Sequence, residues 1–295
     1  MSGTSLQENP HSPTVPQQHC GNCETPLAGP WCSQCGQHAH DSARTIGALL
    51  HDAWHSLTHL DGRFGQSLLL LFRRPGALTL EYFANRRARQ VPPFRLYLVC
   101  SVVFFALASL TAAHGHRAGP ALTPDTAKES ATDCRQLKWG NDTAPPWLQE
   151  ACLRVTHDNG QSLGRAFLAN APKMMFVLLP LVAALMVLFW WRPRRLYVEH
   201  LVFSLHTHAF MFSMFSLLML LSAVGNRWPL LDTLAGVLSF ALWLWVLAYP
   251  WLAMRRYYGQ SRLRTTLKFV VLFTAYSMLL SAVLLGTVVL SALAL

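Results

Sequence analysis

Residues 174–191 read MMFVLLPLVAALMVLFWW, and residues 192–195 read RPRR. The first run carries no charge, and the second carries Arg192, Arg194 and Arg195. Crossing a hydrocarbon core as a helix takes about 20 apolar residues, and basic residues just beyond such a run mark the side that stays inside. Four more stretches repeat the pattern: Phe94 to Ala113, Leu201 to Val224, Leu230 to Met254 and Lys268 to Leu295. Lipid offers the backbone no hydrogen-bond partner, so each must be helical, with Pro180 and Pro250 tolerated as local kinks. The expected fold class is an all-α polytopic membrane protein with five transmembrane helices.

Composition agrees with that class. Only 13% of the 295 residues are charged and 52% are hydrophobic, whereas a soluble domain carries roughly 25% charged residues. The formal net charge of +10 raises the question of nucleic acid, but the basic residues flank apolar runs and do not gather in one domain. No nucleic-acid partner is expected. Arg73, Arg74, Arg86, Arg87, Arg89 and Arg95 precede the first span, the 192–195 cluster follows the second, and Arg255, Arg256, Arg262, Arg264 and Lys268 follow the fourth. All three clusters fall on one side, which the positive-inside rule makes cytoplasmic. The N-terminus is then cytoplasmic and the C-terminus extracytoplasmic, with loop 114–173 facing out. Residues 1–19 are rich in Pro, Ser, Gln and His without an apolar signal-peptide core, and are expected to form a disordered tail.

Cysteine placement fits this sidedness. Cys20-Gly-Asn-Cys23 and Cys32-Ser-Gln-Cys35 are two CxxC knuckles separated by eight residues. Four thiolates suit tetrahedral zinc. The stretch holds few large apolar residues, chiefly Leu27 and Trp31, while ordering its backbone costs about 1 to 2 kcal/mol per residue. Structural zinc, contributing on the order of 10 to 16 kcal/mol, offsets what no core there can. A redox dithiol is the rival, but no βαβ pattern surrounds either knuckle. Residues 20–40 are therefore read as a zinc ribbon. Cys134 and Cys152 are the two cysteines of the outward loop and are expected to form a disulfide in an oxidising compartment. Cys100, inside the first span, reads as a small buried hydrophobe.

Between the ribbon and the first span, residues 41–93 are expected to form cytoplasmic amphipathic and interfacial helices. Ile46, Leu49, Leu50, Ala53, Trp54, Leu57 and Leu60 recur at helical spacing, with His51, His55 and His59 opposite, as a solvated face or a metal edge. Leu68 to Phe72 is too short to span and is expected in the membrane interface. Arg73, Arg74, Arg86, Arg87, Arg89 and Arg95 make a polybasic collar suited to anionic headgroups.

Within the five-span domain, 94–295, the third span concentrates ionisable groups: Glu199-His200 at its start, then His206-Thr207-His208. Such groups face a bundle interior or a wet cavity and often mark function. Glu199, His206 and Ser213 share one helical stripe, and His200, Ser204, Thr207 and His208 another. Tyr276 of the fifth span lies at a comparable depth, as a possible hydroxyl partner. These residues form a candidate intramembrane polar site, read either as hydrogen-bonded helix glue or as a proton-relaying or metal-binding centre.

Several of these residues sit in motifs that resemble an uncharacterised bacterial integral membrane family, domain of unknown function 3667. The resemblance rests on Cys35-Gly36-Gln37, Leu60-Asp61-Gly62-Arg63, Arg74-Pro75-Gly76 and Pro93-Phe94-Arg95-Leu96-Tyr97. It continues through Tyr197-Val198-Glu199-His200-Leu201-Val202-Phe203 with His206 and His208, then Arg256-Tyr257-Tyr258-Gly259-Gln260-Ser261 and Tyr276. Asn85-Arg86-Arg87 stands where Gly-Lys-Arg is expected, which removes the residue best suited to a tight turn. The resemblance implies a ribbon-bearing membrane protein with no established activity.

The leading functional expectation is a non-enzymatic inner-membrane module whose cytoplasmic zinc ribbon docks an unidentified cytoplasmic protein partner. A small transporter or metal-handling protein using the third-span cluster is one alternative, although five spans show no inverted repeat. A membrane metal-dependent enzyme is the other, resting on Glu199 and the histidines alone, with no phosphate loop, Ser/His/Asp order or HExxH present.

Overall fold

The computed structural model describes residues 19–39, 47, 63–115, 132–136, 138–139, 142–146, 149–150, 152–153, 161–190 and 195–293. Residues 1–18 of the expected N-terminal tail and His51, His55 and His59 of the expected amphipathic helix lie outside the described residues, as do Arg192 and Arg194.

After the ribbon come α1 (Arg63–Arg73), α2 (Ala77–Phe83) and the first span α3 (Pro93–Gly115). A short hairpin, β1 (Lys138–Trp139) with β2 (Asp142–Thr143), precedes α4 (Gln161–Phe189), α5 (Tyr197–Arg227), α6 (Pro229–Tyr258) and α7 (Arg262–Leu293). The five helices α3 to α7 are each long and apolar enough to cross a membrane. Among the described residues after the ribbon, the fold is all-α apart from the hairpin, whose strands pair antiparallel, Lys138 with Thr143 and Trp139 with Asp142. The dipeptide Gly140-Asn141 between the strands is the signal that would have announced it.

The second span opens earlier than its hydropathy suggests. Arg165 and Lys173 read as belonging to the outer loop, yet the helix runs from Gln161 and the apolar window from Gly164. Ala166, Phe167, Leu168 and Ala171 supply the apolar residues, and Lys173 Nζ donates to Asn170 Oδ1 at 3.1 Å. Pro172 and Pro180 lie inside this helix, each removing one backbone donor.

The third span, α5, is the central one. Of its most apolar window 44% is buried within the protein, against none for the fifth span. Its buried residues include Val202, Phe203, Leu205, His206, Phe210 and Phe212 on all sides. Up to Ser216 the helix has no lipid stripe, so neighbours must meet it all round there, while Leu217 and Leu220 beyond it are exposed. The first, second and fourth spans do so. Phe104 stacks on Phe212 at 5.2 Å, Ser204 Oγ lies 3.6 Å from Met186 Sδ, and Phe210 stacks on Tyr249 at 3.5 Å and 7°. Because lipid is as apolar as leucine, this close packing rather than hydrophobic exclusion associates the helices. The fifth span packs mainly on the second and turns Leu263, Leu267, Met278 and Leu285 outward.

The stretch Leu68 to Phe72 packs one face against the bundle. In α1, Leu71 is fully buried and the Phe72 ring lies 6.1 Å from Phe210 of the third span, while Leu69 faces out. A groove between helices can bury one face of an amphipathic segment as well as a bilayer surface can. The adjoining α2 buries Leu78, Thr79 and Tyr82 against the third and fourth spans. Between them, Arg74-Pro75-Gly76 docks on the end of α6: Arg256 Nη1 donates to the Pro75 carbonyl at 2.9 Å. Gly76 has φ +74°, and a Cβ there would sit 2.7 Å from the Ala253 carbonyl oxygen. Only glycine satisfies both the left-handed backbone and that approach.

Asn85 takes φ +63° directly after α2. The tight turn that the missing glycine argued against is therefore made, because asparagine tolerates the left-handed region better than other side-chain-bearing residues.

Candidate metal centre and intramembrane polar site

The ribbon repeats one device twice, twelve residues apart. Cys20 N–H donates to the Thr25 carbonyl at 2.9 Å and Glu24 N–H to the Cys20 carbonyl at 2.8 Å; Cys32 N–H donates to Gln37 and Gly36 N–H to Cys32, both at 2.9 Å. Bridges between His19 and Pro26, and between Trp31 and His38, close the two turns. Each turn bends through a left-handed residue just after its second cysteine, Glu24 at φ +62° and Gly36 at φ +73°. The resulting knuckles face one another. Cys20 Sγ lies 3.6 Å from Cys35 Sγ and Cys23 Sγ lies 3.4 Å from Cys32 Sγ, with all four sulfurs within 4.8 Å of one another. Hydrogen bonding to Thr25 holds the Cys23 thiol down at about 6, and burial pushes the Cys35 thiol up to about 11. Four sulfurs gathered by two backbone turns could hold a metal ion. Among the described residues this is the one such group of three or more His, Cys, Asp or Glu side chains.

The loop between the first and second spans holds the other cysteine pair. Cys134 and Cys152 form a disulfide with their Cα atoms 5.5 Å apart. Cys100 is buried and free.

The third-span residues are distributed among different neighbours. Glu199 accepts from Arg195 Nη1 at 2.8 Å and from the Tyr257 hydroxyl at 3.0 Å, and its Oε1 takes the Leu196 N–H at 3.3 Å. This carboxylate thus caps its own helix and ties it to the fourth span. His200 Nδ1 lies 2.7 Å from the Tyr258 hydroxyl, and the Tyr258 ring stacks on Trp190 at 4.1 Å. Lys268 Nζ sits 4.7 Å over the centre of the Trp190 ring, a cation–π contact from the fifth span. The adjacent residues Glu199 and His200 therefore engage the adjacent residues Tyr257 and Tyr258.

About two turns deeper, His206 Nδ1 lies 2.9 Å from Thr79 Oγ1 of α2. His208 Nδ1 lies 2.8 Å from the Ser204 carbonyl and Nε2 lies 3.3 Å from the Tyr276 hydroxyl. A carbonyl only accepts, so Nδ1 carries the proton and Nε2 accepts from Tyr276: His208 has both nitrogens engaged while neutral. His200 Nε2 and His206 Nε2 are buried without a hydrogen-bond partner among the described residues. Thr207, Ser213 and Ser216 return their hydroxyls to carbonyls four residues back.

The structure thus brings Tyr276 to His208 but separates Glu199 from His206, which share a stripe and serve different helices. Sequence reasoning missed Thr79, Tyr257 and Tyr258. The aromatic pair stood in a quoted motif, but nothing local linked it to Glu199-His200. Of the arginine collar, Arg73, Arg74, Arg86 and Arg89 are exposed, whereas Arg95 is buried at the start of the first span and Arg87 stacks over Tyr82 at 4.6 Å.

No curated protein and no solved structure matches the chain. A family model described as a protein of unknown function (DUF3667) matches residues 61–105, the segment that runs from α1 through the Gly76 turn, Thr79 and Asn85 into the first span. With four gathered cysteines ahead of it and five helices able to cross a membrane, the chain is an integral membrane protein that resembles this family over residues 61–105.

Proposed function

We propose that this chain is a non-enzymatic module of the bacterial inner membrane whose cytoplasmic ribbon holds zinc and docks a protein partner. The donor chemistry supports zinc: four thiols at 3.4 to 4.8 Å approach the edges of a tetrahedron with Zn–S bonds near 2.3 Å, which are about 3.8 Å long. Cys20, Cys23, Cys32 and Cys35 would hold the ion, which would supply the folding energy the short stretch lacks.

The observation that carries the docking role is Trp31. It is 63% exposed on a ribbon with little apolar surface to spare, with the His38 ring edge-on at 4.7 Å. A protein-binding face favours such a large, rigid side chain left uncovered. The third-span histidines support a structural part for the bundle, because His206 and His208 spend nitrogens on neighbouring helices.

A photocrosslinking residue placed at position 31 in cells tests this. A discrete protein adduct that disappears when Cys20 and Cys32 are changed to serine is the expected result. Adducts to lipid alone, or adducts indifferent to the cysteines, would overturn the docking role.

A further inference from the structure

The ribbon also grips its own chain. Gln37, in the second knuckle, is 5% exposed and spends its whole side-chain amide on the loop after α2. Its Nε2 donates to the Asn85 carbonyl at 2.7 Å and to Asn85 Oδ1 at 2.9 Å, and its Oε1 accepts from Arg87 N–H and Ala88 N–H, each at 3.2 Å. The first knuckle touches the same residue, since a Cβ on Gly21 would lie 2.7 Å from Asn85 Nδ2. One position from each knuckle therefore converges on Asn85, the residue held at φ +63°.

The grip exists only while the knuckles do. The Gln37 carbonyl is the acceptor that closes the second knuckle, so Gln37 is aimed by the fold around Cys32 and Cys35. Downstream, Arg87 Nε donates to the Tyr82 carbonyl at 3.1 Å, and the helix bearing Tyr82 also bears Thr79, the contact of His206. Arg86 and Arg89 stand exposed on the gripped loop.

We infer that the ribbon is a metal-dependent clamp on loop 85–89: occupancy of the four cysteines fixes the shape of an arginine loop at the face of the bundle, and loss of the ion releases it. This rests on the metal reading above and is independent of any docked protein. Its ligand is the chain itself, recognised by a side-chain amide that mimics a backbone strand.

Hydrogen exchange on the full-length protein in nanodiscs, with metal content measured on the same samples, tests it. The Arg87 and Ala88 amides, which donate to Gln37, should exchange at least tenfold faster after a chelator strips the metal, while amides of the central third span stay unchanged. Gln37→Leu should show the same fast exchange with metal still bound, and the chelator should then add nothing. If the metal leaves and these amides stay protected, or if Gln37→Leu leaves them protected, the clamp is wrong while the metal site stands. A protein that binds no metal at any concentration of zinc overturns both.

Discussion

Thr79 Oγ1 lies 2.9 Å from His206 Nδ1, joining residues 127 positions apart. Both side chains are at most 3% exposed. The contact makes the segment ahead of the first span part of the core of the bundle, because the histidine it reaches belongs to the most buried span.

Replacing Thr79 with valine keeps shape and removes the hydroxyl, leaving His206 with neither nitrogen engaged among the described residues. Hydrogen bonds between membrane helices average about 0.6 kcal/mol, but a buried group left unsatisfied costs about 1 to 3 kcal/mol, and the second figure applies here. Thermal unfolding in detergent should show Thr79→Val destabilised by that amount and Thr79→Ser close to the parent. Equal stability of valine and threonine would remove the bond from the account.

Gly76 makes a steeper demand. Alanine there meets the left-handed backbone, a cost of about 1 to 2 kcal/mol, and the Ala253 carbonyl oxygen at 2.7 Å. A loss of more than about 2 kcal/mol is expected once repacking is added. Gly286→Ala, where nothing lies within 4 Å, is the control and should not destabilise. Similar behaviour of the two variants would contradict the docking of this turn on the fourth span.

Glu24 and Gly36 occupy equivalent places in the two knuckles, yet only one is glycine. Glu24→Gly should relieve about 1 kcal/mol of backbone strain, and so raise the affinity of the ribbon for zinc about fivefold. Gly36→Ala should lower it by a similar factor. Competition against a chelating dye reads both. A Glu24→Gly variant that binds zinc no more tightly than the parent, while Gly36→Ala binds it more weakly, would mean that the two knuckles are not equivalent.

Metal stoichiometry separates the scaffold reading from its rivals. Full-length protein should hold one equivalent, lost when the four ribbon cysteines become serine. Elemental analysis that finds a second equivalent, retained in that variant and lost on His206→Ala, would promote an intramembrane metal site and sink the scaffold reading.

The Cys134–Cys152 bridge closes a loop with a sequence separation of 18, so its reduction should cost about 3 kcal/mol by loop entropy. Mass mapping after alkylation without reductant should find these two protected and the ribbon cysteines reactive once metal is removed. If five spans cross with the N-terminus cytoplasmic, reporter fusions at the two ends should give opposite signals, the N-terminal one cytoplasmic. Matching signals would overturn the count of five spans, and freely alkylating outer cysteines would overturn the topology or the disulfide.

The spans and the metal knuckles were legible in the chain for one reason: each obeys a local rule. A bilayer demands an uncharged run of fixed length, and a tetrahedral ion demands two short thiol spacings. Neither requirement refers to distant residues, so composition and spacing suffice. The second span shows the limit, since Arg165 and Lys173 hid a helix that begins at Gln161.

What the tertiary structure alone decided is which polar residue meets which. From Val198 to Ser216 the third span is buried or half-buried all round, so its sequence marks no face there. Whether Glu199 turns toward Tyr257, or His206 toward Thr79, depends on the rotation and neighbours of the helix. Likewise Gln37 reads as an ordinary ribbon residue until folding brings the loop at Asn85 beneath it. Those pairings are set by packing among helices, and packing is a property of the assembled bundle.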